Sequence, residues 1–196
     1  MSGFRDPYVY PGTGVLRNKL DIQDEKRLEE VERHVTTERA SAGVPGGKFD
    51  LKHLQAIHKH LFQDLYDWAG EVRSVEIAKG GSQFQPTRYI ETGMADVHAR
   101  LKKANFLRNK RPQEFAEKAA EILGDVNYVH PFREGNGRTQ LLFLQQLAEQ
   151  AGYTLDLARI DPAQWLEASR QAHDGQSALM AQTIEPCLQR SFDRGR

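Results

Sequence analysis

His130-Pro131-Phe132-Arg133-Glu134-Gly135-Asn136-Gly137-Arg138-Thr139 stands between two segments of strong apolar periodicity, and its setting decides the reading of the fold. On its N-terminal side, Pro112 occupies a plausible first helical position. Phe115, Ala119, Ile122, Val126 and Val129 then line one side of a helix. Pro131 disfavours helical geometry in the residue before it, so this helix is expected to end at His130. On the C-terminal side, Arg138 to Gln150 is apolar at Leu141, Leu142, Phe143, Leu144 and Leu147, the pattern of a buried helix. The stretch is therefore the loop between two helices expected to pack at the centre of the domain.

Its residue types suit phosphate chemistry. A turn with glycines on both sides of an asparagine directs backbone N–H groups toward an anion, and the next helix adds its unpaired N–H groups and the positive end of its dipole. Arg138 can add a forked contact to phosphate oxygens. Glu134 is a hard oxygen ligand of the kind Mg²⁺ takes alongside water and substrate phosphates. His130 can accept a proton near neutral pH. Each piece alone has a plain explanation: a helix-end histidine that packs, a turn that is only a turn, a solvated arginine, a surface carboxylate. Their conjunction at fixed spacing points to a nucleotide or anion site, with a phosphate-transfer enzyme as its catalytic form.

Outward from the loop, most of the chain reads as helix. Leu28, Val31 and Val35 mark an exposed amphipathic helix from Gln23 to about Ala40. Asp50 caps a helix striped by Leu51, Leu54, Ile57 and Leu61. Val72 to Ile77, Gly80-Gly81 and Ser82 to Gln85 read as a short hairpin, about 72–86. Ile90, Met94, Val97 and Leu101 share a helix face, Asp161-Pro162 opens another helix, and Ser177 to about Gln189 makes the last. The N-terminal arm, 1–22, is rich in Pro, Gly and Tyr and reads as irregular. No repeat, low-complexity stretch or linker interrupts the 196 residues, so the expectation is one all-α domain, 1–196, with one small hairpin. Lys+Arg and Asp+Glu both total 27, which argues against a generalised nucleic-acid footprint. One cysteine, Cys187, precludes an internal disulfide and a Cys-based zinc cluster. No apolar run has membrane-span length and no signal-peptide core is visible, so a cytoplasmic protein without membrane attachment is expected.

The sequence His-Pro-Phe-x-x-Gly-Asn-Gly-Arg resembles the signature of the Fic domain family. The resemblance extends to Leu61-Phe62, to Asp67-Trp68-Ala69-Gly70-Glu71-Val72-Arg73 and to Ile77-Ala78-Lys79-Gly80-Gly81-Ser82-Gln83-Phe84, which look like the family's helix-to-flap segment. The opening Asp6-Pro7-Tyr8 and Val15 to Leu20 is similar to bacterial Fic toxins. The resemblance implies an all-α Fic bundle with a hairpin flap, and transfer of AMP from ATP to a hydroxyl side chain of a protein. It implies that His130 is the base, that Glu134 holds Mg²⁺, that Asn136 positions the α-phosphate, and that Gly135, Gly137 and Arg138 bind the β-phosphate. It places Ile77 and Lys79 beside the nucleotide, Phe84 on the flap that docks the target, and Trp165 and His173 near adenine. By residue type Trp165 reads first as core, while a solvated turn charge, a hairpin packing residue and a helix-end residue are the alternatives for Lys79, Phe84 and His173.

The family's usual second arginine, three residues after the first, is here Leu141, which bears on how a γ-phosphate is held. The family's inhibitory motif, Ser or Thr followed after three residues by Glu and then Gly or Asn, does not occur: the only Glu followed by Gly or Asn is Glu134. The resemblance then implies a separate small antitoxin that supplies the inhibitory helix. It also implies bacterial type II topoisomerases, DNA gyrase or topoisomerase IV, as the protein substrate. A Doc-type phosphotransferase is the alternative, against which Gly137 argues, since that branch typically carries lysine there. A catalytically weak nucleotide-binding or interaction module is the third reading, favoured by Leu141.

Overall fold

The computed structural model describes residues 6–191. Residues 1–5 of the expected N-terminal arm lie outside the described residues. Seven helices make the body: α1 (Glu25–Ser41), α2 (Leu51–Phe62), α3 (Ile90–Lys103), α4 (Pro112–Val129), α5 (Asn136–Gln150), α6 (Pro162–His173) and α7 (Ala178–Ile184). The expected all-α class is observed. Local signals act where the sequence places them. The Asp50 carboxylate caps α2 by accepting the His53 N–H at 2.9 Å, and Asp161 caps α6 by accepting that of Gln164 at 2.7 Å. Proline opens both α4 and α6. The core is centred on α4, whose Phe115, Ala119, Leu123 and Val126 are sealed from solvent between α3, α5, α6 and α7. Phe62, Phe132 and Phe143 fill the space between α2 and α5.

Three elements differ from the sequence expectation. The hairpin is much shorter than 72–86: only β1 (Ala78–Lys79) and β2 (Ser82–Gln83) pair, in the register Ala78 to Gln83 and Lys79 to Ser82. Its two-residue loop has positive φ at both Gly80 (59°) and Gly81 (87°), the type I′ turn that matches strand twist and that glycine best allows. Val72 to Ile77 is not strand, because its backbone is tied to the Arg73 side chain and the α4–α5 loop instead of to a ladder. The helix expected from Ser177 to Gln189 stops at Ile184 ahead of Pro186, and the chain continues into β4 (Leu188–Arg190), antiparallel to β3 (Tyr153–Leu155). Finally, α1 does not bury a simple apolar stripe. Its inward positions, spaced by four, are Leu28, Glu32 and Thr36.

Candidate active site

The α4–α5 connection places the loop at the centre of the bundle. His130 follows the last residue of α4 with φ of 47°, the left-handed conformation that ends many helices but suits glycine better than histidine. Its Nδ1 lies 3.1 Å from the carbonyl oxygen of Asn127. A carbonyl only accepts, so Nδ1 carries the proton and Nε2 keeps its lone pair. Among the described residues Nε2 has no hydrogen-bond partner. Burial lowers the His130 pKa to about 4, with Arg73 and Lys79 acting in the same direction against the Asn127 carbonyl and Glu134. The imidazole is therefore neutral at physiological pH, the form that can take a proton.

Gly135 is the N-cap of α5 with φ of 81°, and no side chain caps the helix. The first intrahelical bond runs from the Thr139 N–H to the Gly135 carbonyl at 3.1 Å. The N–H groups of Asn136, Gly137 and Arg138 consequently have no acceptor within the helix, which makes this end an anion site. The two glycines serve different ends. A Cβ on Gly135 would stand 2.3 Å from Phe62 Cζ, so packing itself demands glycine there. Around Gly137 nothing lies within 4 Å of a Cβ, and the glycine leaves open space above the helix end.

Asn136 departs from its expected role. Its side chain is 3% exposed and turned into the protein, its Oδ1 accepting from the Phe132 N–H at 3.0 Å and its Nδ2 donating to the Phe132 carbonyl at 2.8 Å. It closes the loop and offers an anion only its backbone N–H. Arg138 is also engaged: its guanidinium is ion-paired with Glu32 of α1, lies 3.3 Å from the Thr36 hydroxyl and sits 4.8 Å above the Phe62 ring. The second oxygen of Glu32 accepts from the buried Tyr66 hydroxyl, whose pKa is pushed up by burial first and by Glu32 next. Glu134 is half-buried, with Oε1 accepting the Gly135 N–H at 2.9 Å.

Two further side chains hold this loop, and the sequence reading assigned neither a role. His58 is fully buried in α2, stacked 4.0 Å from the Phe132 ring. Its Nδ1 accepts from the Gly70 N–H at 2.8 Å, so its protonated Nε2 donates to the Glu134 carbonyl at 2.9 Å. Arg73, 2% exposed, donates from Nε to the His130 carbonyl and from Nη1 to that of Val75, both at 2.8 Å, and from Nη2 to those of Gln85 and Val129. One buried guanidinium thereby joins both legs of the hairpin to the end of α4. The legible signal was an arginine between Val72 and Val75; its carbonyl partners are invisible to residue patterns.

A cleft of about 450 Å³ opens above the loop, lined by Lys79 of the hairpin, by Glu134 and Arg138, and by Glu32, Tyr66 and the arm at Gly14–Leu16. Lys79, Glu134 and Arg138 are thus brought together on one cleft. Phe84 lies directly on His130, with ring centroids 3.7 Å apart and planes 18° from parallel. Ile77 supports the hairpin through its carbonyl, which accepts the Phe84 N–H at 3.4 Å. Trp165 is 8% exposed and packs within the main core. Leu141 faces a separate groove between α1 and α5, with Thr36, Ala40 and Leu61.

A helical bundle that sets a neutral histidine beside an uncapped, glycine-framed helix end, under a hairpin, defines a class of anion-handling folds. The chain belongs to the Fic/DOC family, whose sequence model matches residues 48–148. It is 41% identical to the "Probable protein adenylyltransferase y4lH" of Sinorhizobium fredii, over 91% of this chain and 94% of that protein. It is 40% identical to the "Protein adenylyltransferase VbhT" of Bartonella schoenbuchensis over 93% of this chain, which spans only 39% of that longer protein. Among solved structures, BepC from Bartonella tribocorum with bound AMPPNP superposes with a TM-score of 0.84 at 29% identity, covering 93% of this chain and 96% of that one.

Proposed function

We propose that the protein is an adenylyltransferase that moves AMP from ATP to a hydroxyl side chain of another protein, the hydroxyl oxygen bonding to the α-phosphorus as pyrophosphate leaves. The observation that carries this reading is the pairing of a base with an anion site: the free Nε2 of His130 at one end of the loop and the open N–H groups of α5 at the other. His130 takes the proton of the acceptor hydroxyl through Nε2, while its Nδ1–H stays on the Asn127 carbonyl. The N–H groups of Asn136, Gly137 and Arg138 receive phosphate oxygens and stabilise the charge that develops on them. Arg138 keeps part of its guanidinium for phosphate while Glu32 holds the rest. Lys79 closes the cleft from the hairpin side, Ile77 supports it, and the short strands of the flap offer main-chain pairing to an extended acceptor segment.

Glu134 fits a divalent ion of the Mg²⁺ type, which accepts a single carboxylate when phosphates and water complete its shell. No cluster of three or more His, Cys, Asp or Glu suited to a metal occurs among the described residues, so nucleotide phosphates and water would complete the shell begun by Glu134. When bound, it would neutralise phosphate charge. We further infer that a separate small protein controls the enzyme, because the chain lacks the inhibitory motif, and that DNA gyrase and topoisomerase IV are the first acceptors to assay. No helix among the described residues is long and apolar enough to cross a membrane.

The test uses ATP labelled separately at the α and γ positions, with cell lysate as acceptor. Label is expected to transfer from α only, and transfer is expected to vanish in His130→Ala. Transfer from γ would establish a phosphotransferase, and no transfer a binding module.

A further inference from the structure

We propose that Phe84 is a positioning residue for the catalytic base, fixing the plane of the His130 imidazole so that Nε2 faces the acceptor hydroxyl. The inference rests on the proposed role of His130. It assigns Phe84 a task distinct from docking the target.

The imidazole has a single hydrogen bond, from Nδ1–H to the Asn127 carbonyl at 3.1 Å. One such bond fixes the tautomer but leaves the ring free to rock about the N–H···O direction. A flat aromatic face 3.7 Å away and within 18° of parallel removes that freedom, because rocking would lose the stacking contact or drive the rings together. Phe84 can act this way because it is itself held. Its N–H donates to the Ile77 carbonyl, and the adjacent Gln85 is pinned by its N–H to the Tyr128 carbonyl at 3.0 Å and by its own carbonyl to Arg73. On the other side, His173 meets the Phe84 ring edge-on, with centroids 5.2 Å apart and planes at 87°. The phenyl ring is therefore wedged between two imidazoles, one of them the base. The hairpin strands, with Ala78, Lys79 and Gln83 exposed, immediately precede it, so a segment paired there would be joined by the shortest covalent path to the residue that orients His130.

The experiment compares Phe84→Leu, Phe84→Tyr and Phe84→Ala in the full chain with ¹⁵N-labelled histidine. In the parent, the His130 ring nitrogens are expected to show one Nδ1–H tautomer. In Phe84→Leu, which keeps apolar volume and loses the flat face, the Nδ1–H tautomer is expected to persist while the ring signals broaden and shift as the imidazole rocks, and Phe84→Tyr is expected to restore the parent signals. With α-labelled ATP and lysate acceptors, Phe84→Leu should lower kcat at least tenfold with KM for ATP within twofold, and Phe84→Tyr should recover it to within threefold. Parent-like imidazole signals in Phe84→Leu would overturn the proposal, as would an unchanged kcat with a higher concentration requirement for acceptor alone. Should Phe84→Ala not fold, the Leu and Tyr variants still decide. Full activity in His130→Ala would refute the base assignment, while the nitrogen signals would still report on the stack.

Discussion

Arg138 and Glu32 are ion-paired across 106 residues of sequence, joining the first turn of α5 to the inner face of α1. Glu32 is the hub of the contact, since its other oxygen accepts from Tyr66. Replacing Glu32 by Ala leaves a guanidinium and a buried hydroxyl without their acceptor. The expected cost is about 1–3 kcal/mol, held down by the partial exposure of Arg138. Urea denaturation of Glu32→Ala, Tyr66→Phe and the double variant should show coupling of at least about 0.5 kcal/mol. Strict additivity would mean that the triad does not act as a unit.

The glycines at 135 and 137 should separate stability from activity. Gly135→Ala combines a left-handed φ with a 2.3 Å approach to Phe62 and is expected to destabilise by about 2–4 kcal/mol. Gly137→Ala has open space and no positive φ, so its stability should stay within about 1 kcal/mol of the parent. Its methyl group stands where an anion would approach, and AMP transfer should fall at least tenfold. Thermal denaturation and the α-label assay, run on the same two preparations, decide the matter.

Acid should weaken the fold through two histidines. Burial lowers both His58 and His130 from 6.5 to about 4, each helped by a nearby arginine. The unfolded chain therefore binds protons that the native state refuses as pH falls below 6.5. Their contribution is complete above pH 6.5, is lost progressively down to about 4, and then levels off. At 1.36 kcal/mol per unit, the fully buried His58 accounts for roughly 3 kcal/mol of that loss, and the half-buried His130 for less. Urea midpoints measured from pH 8 to 4 should fall in this window, with a smaller fall in His58→Gln. A midpoint that stays constant across the window would contradict the burial argument.

Arg73→Lys tests the guanidinium that joins hairpin and loop. A lysine carries one nitrogen and cannot reach four carbonyls in different directions, so buried acceptors are left unpaired. Stability should drop by about 2–4 kcal/mol. Amide hydrogen exchange should rise at Gln85 and His130 before it rises in the α4 core. Uniform loosening of the whole bundle would argue against a local brace.

The helices and the loop were legible because they depend on local signals: Asp50 and Asp161 as caps, Pro112 as an opener, and Pro131 as a stop. The make-up of the candidate site was legible for the same reason, since His130, Glu134 and Gly135 to Arg138 lie within nine residues. Sequence periodicity misled where a side chain replaces a regular partner. Val72 to Ile77 is rich in β-branched residues like a strand, yet the Arg73 side chain takes the Val75 carbonyl and no ladder forms. The family resemblance alone gave the Asn136 side chain an α-phosphate role, whereas the Phe132 backbone takes both ends of its amide. Glu32 left no trace at all, being one acid among many on α1 until folding brings Arg138 and Tyr66 to it. Trp165 was ambiguous in sequence because an indole serves a core and a base equally well.

The left-handed backbone at His130 sets selection for folding against selection for activity. Glycine adopts that conformation freely, and asparagine more easily than histidine does. His130→Gly relieves a backbone strain of about 1–2 kcal/mol while deleting the base proposed above. A library at position 130 screened only for abundance or heat resistance should thus enrich inert proteins, and a natural copy released from its task would drift in that direction. The identity of this single residue reports whether a copy of the fold is still kept for its chemistry.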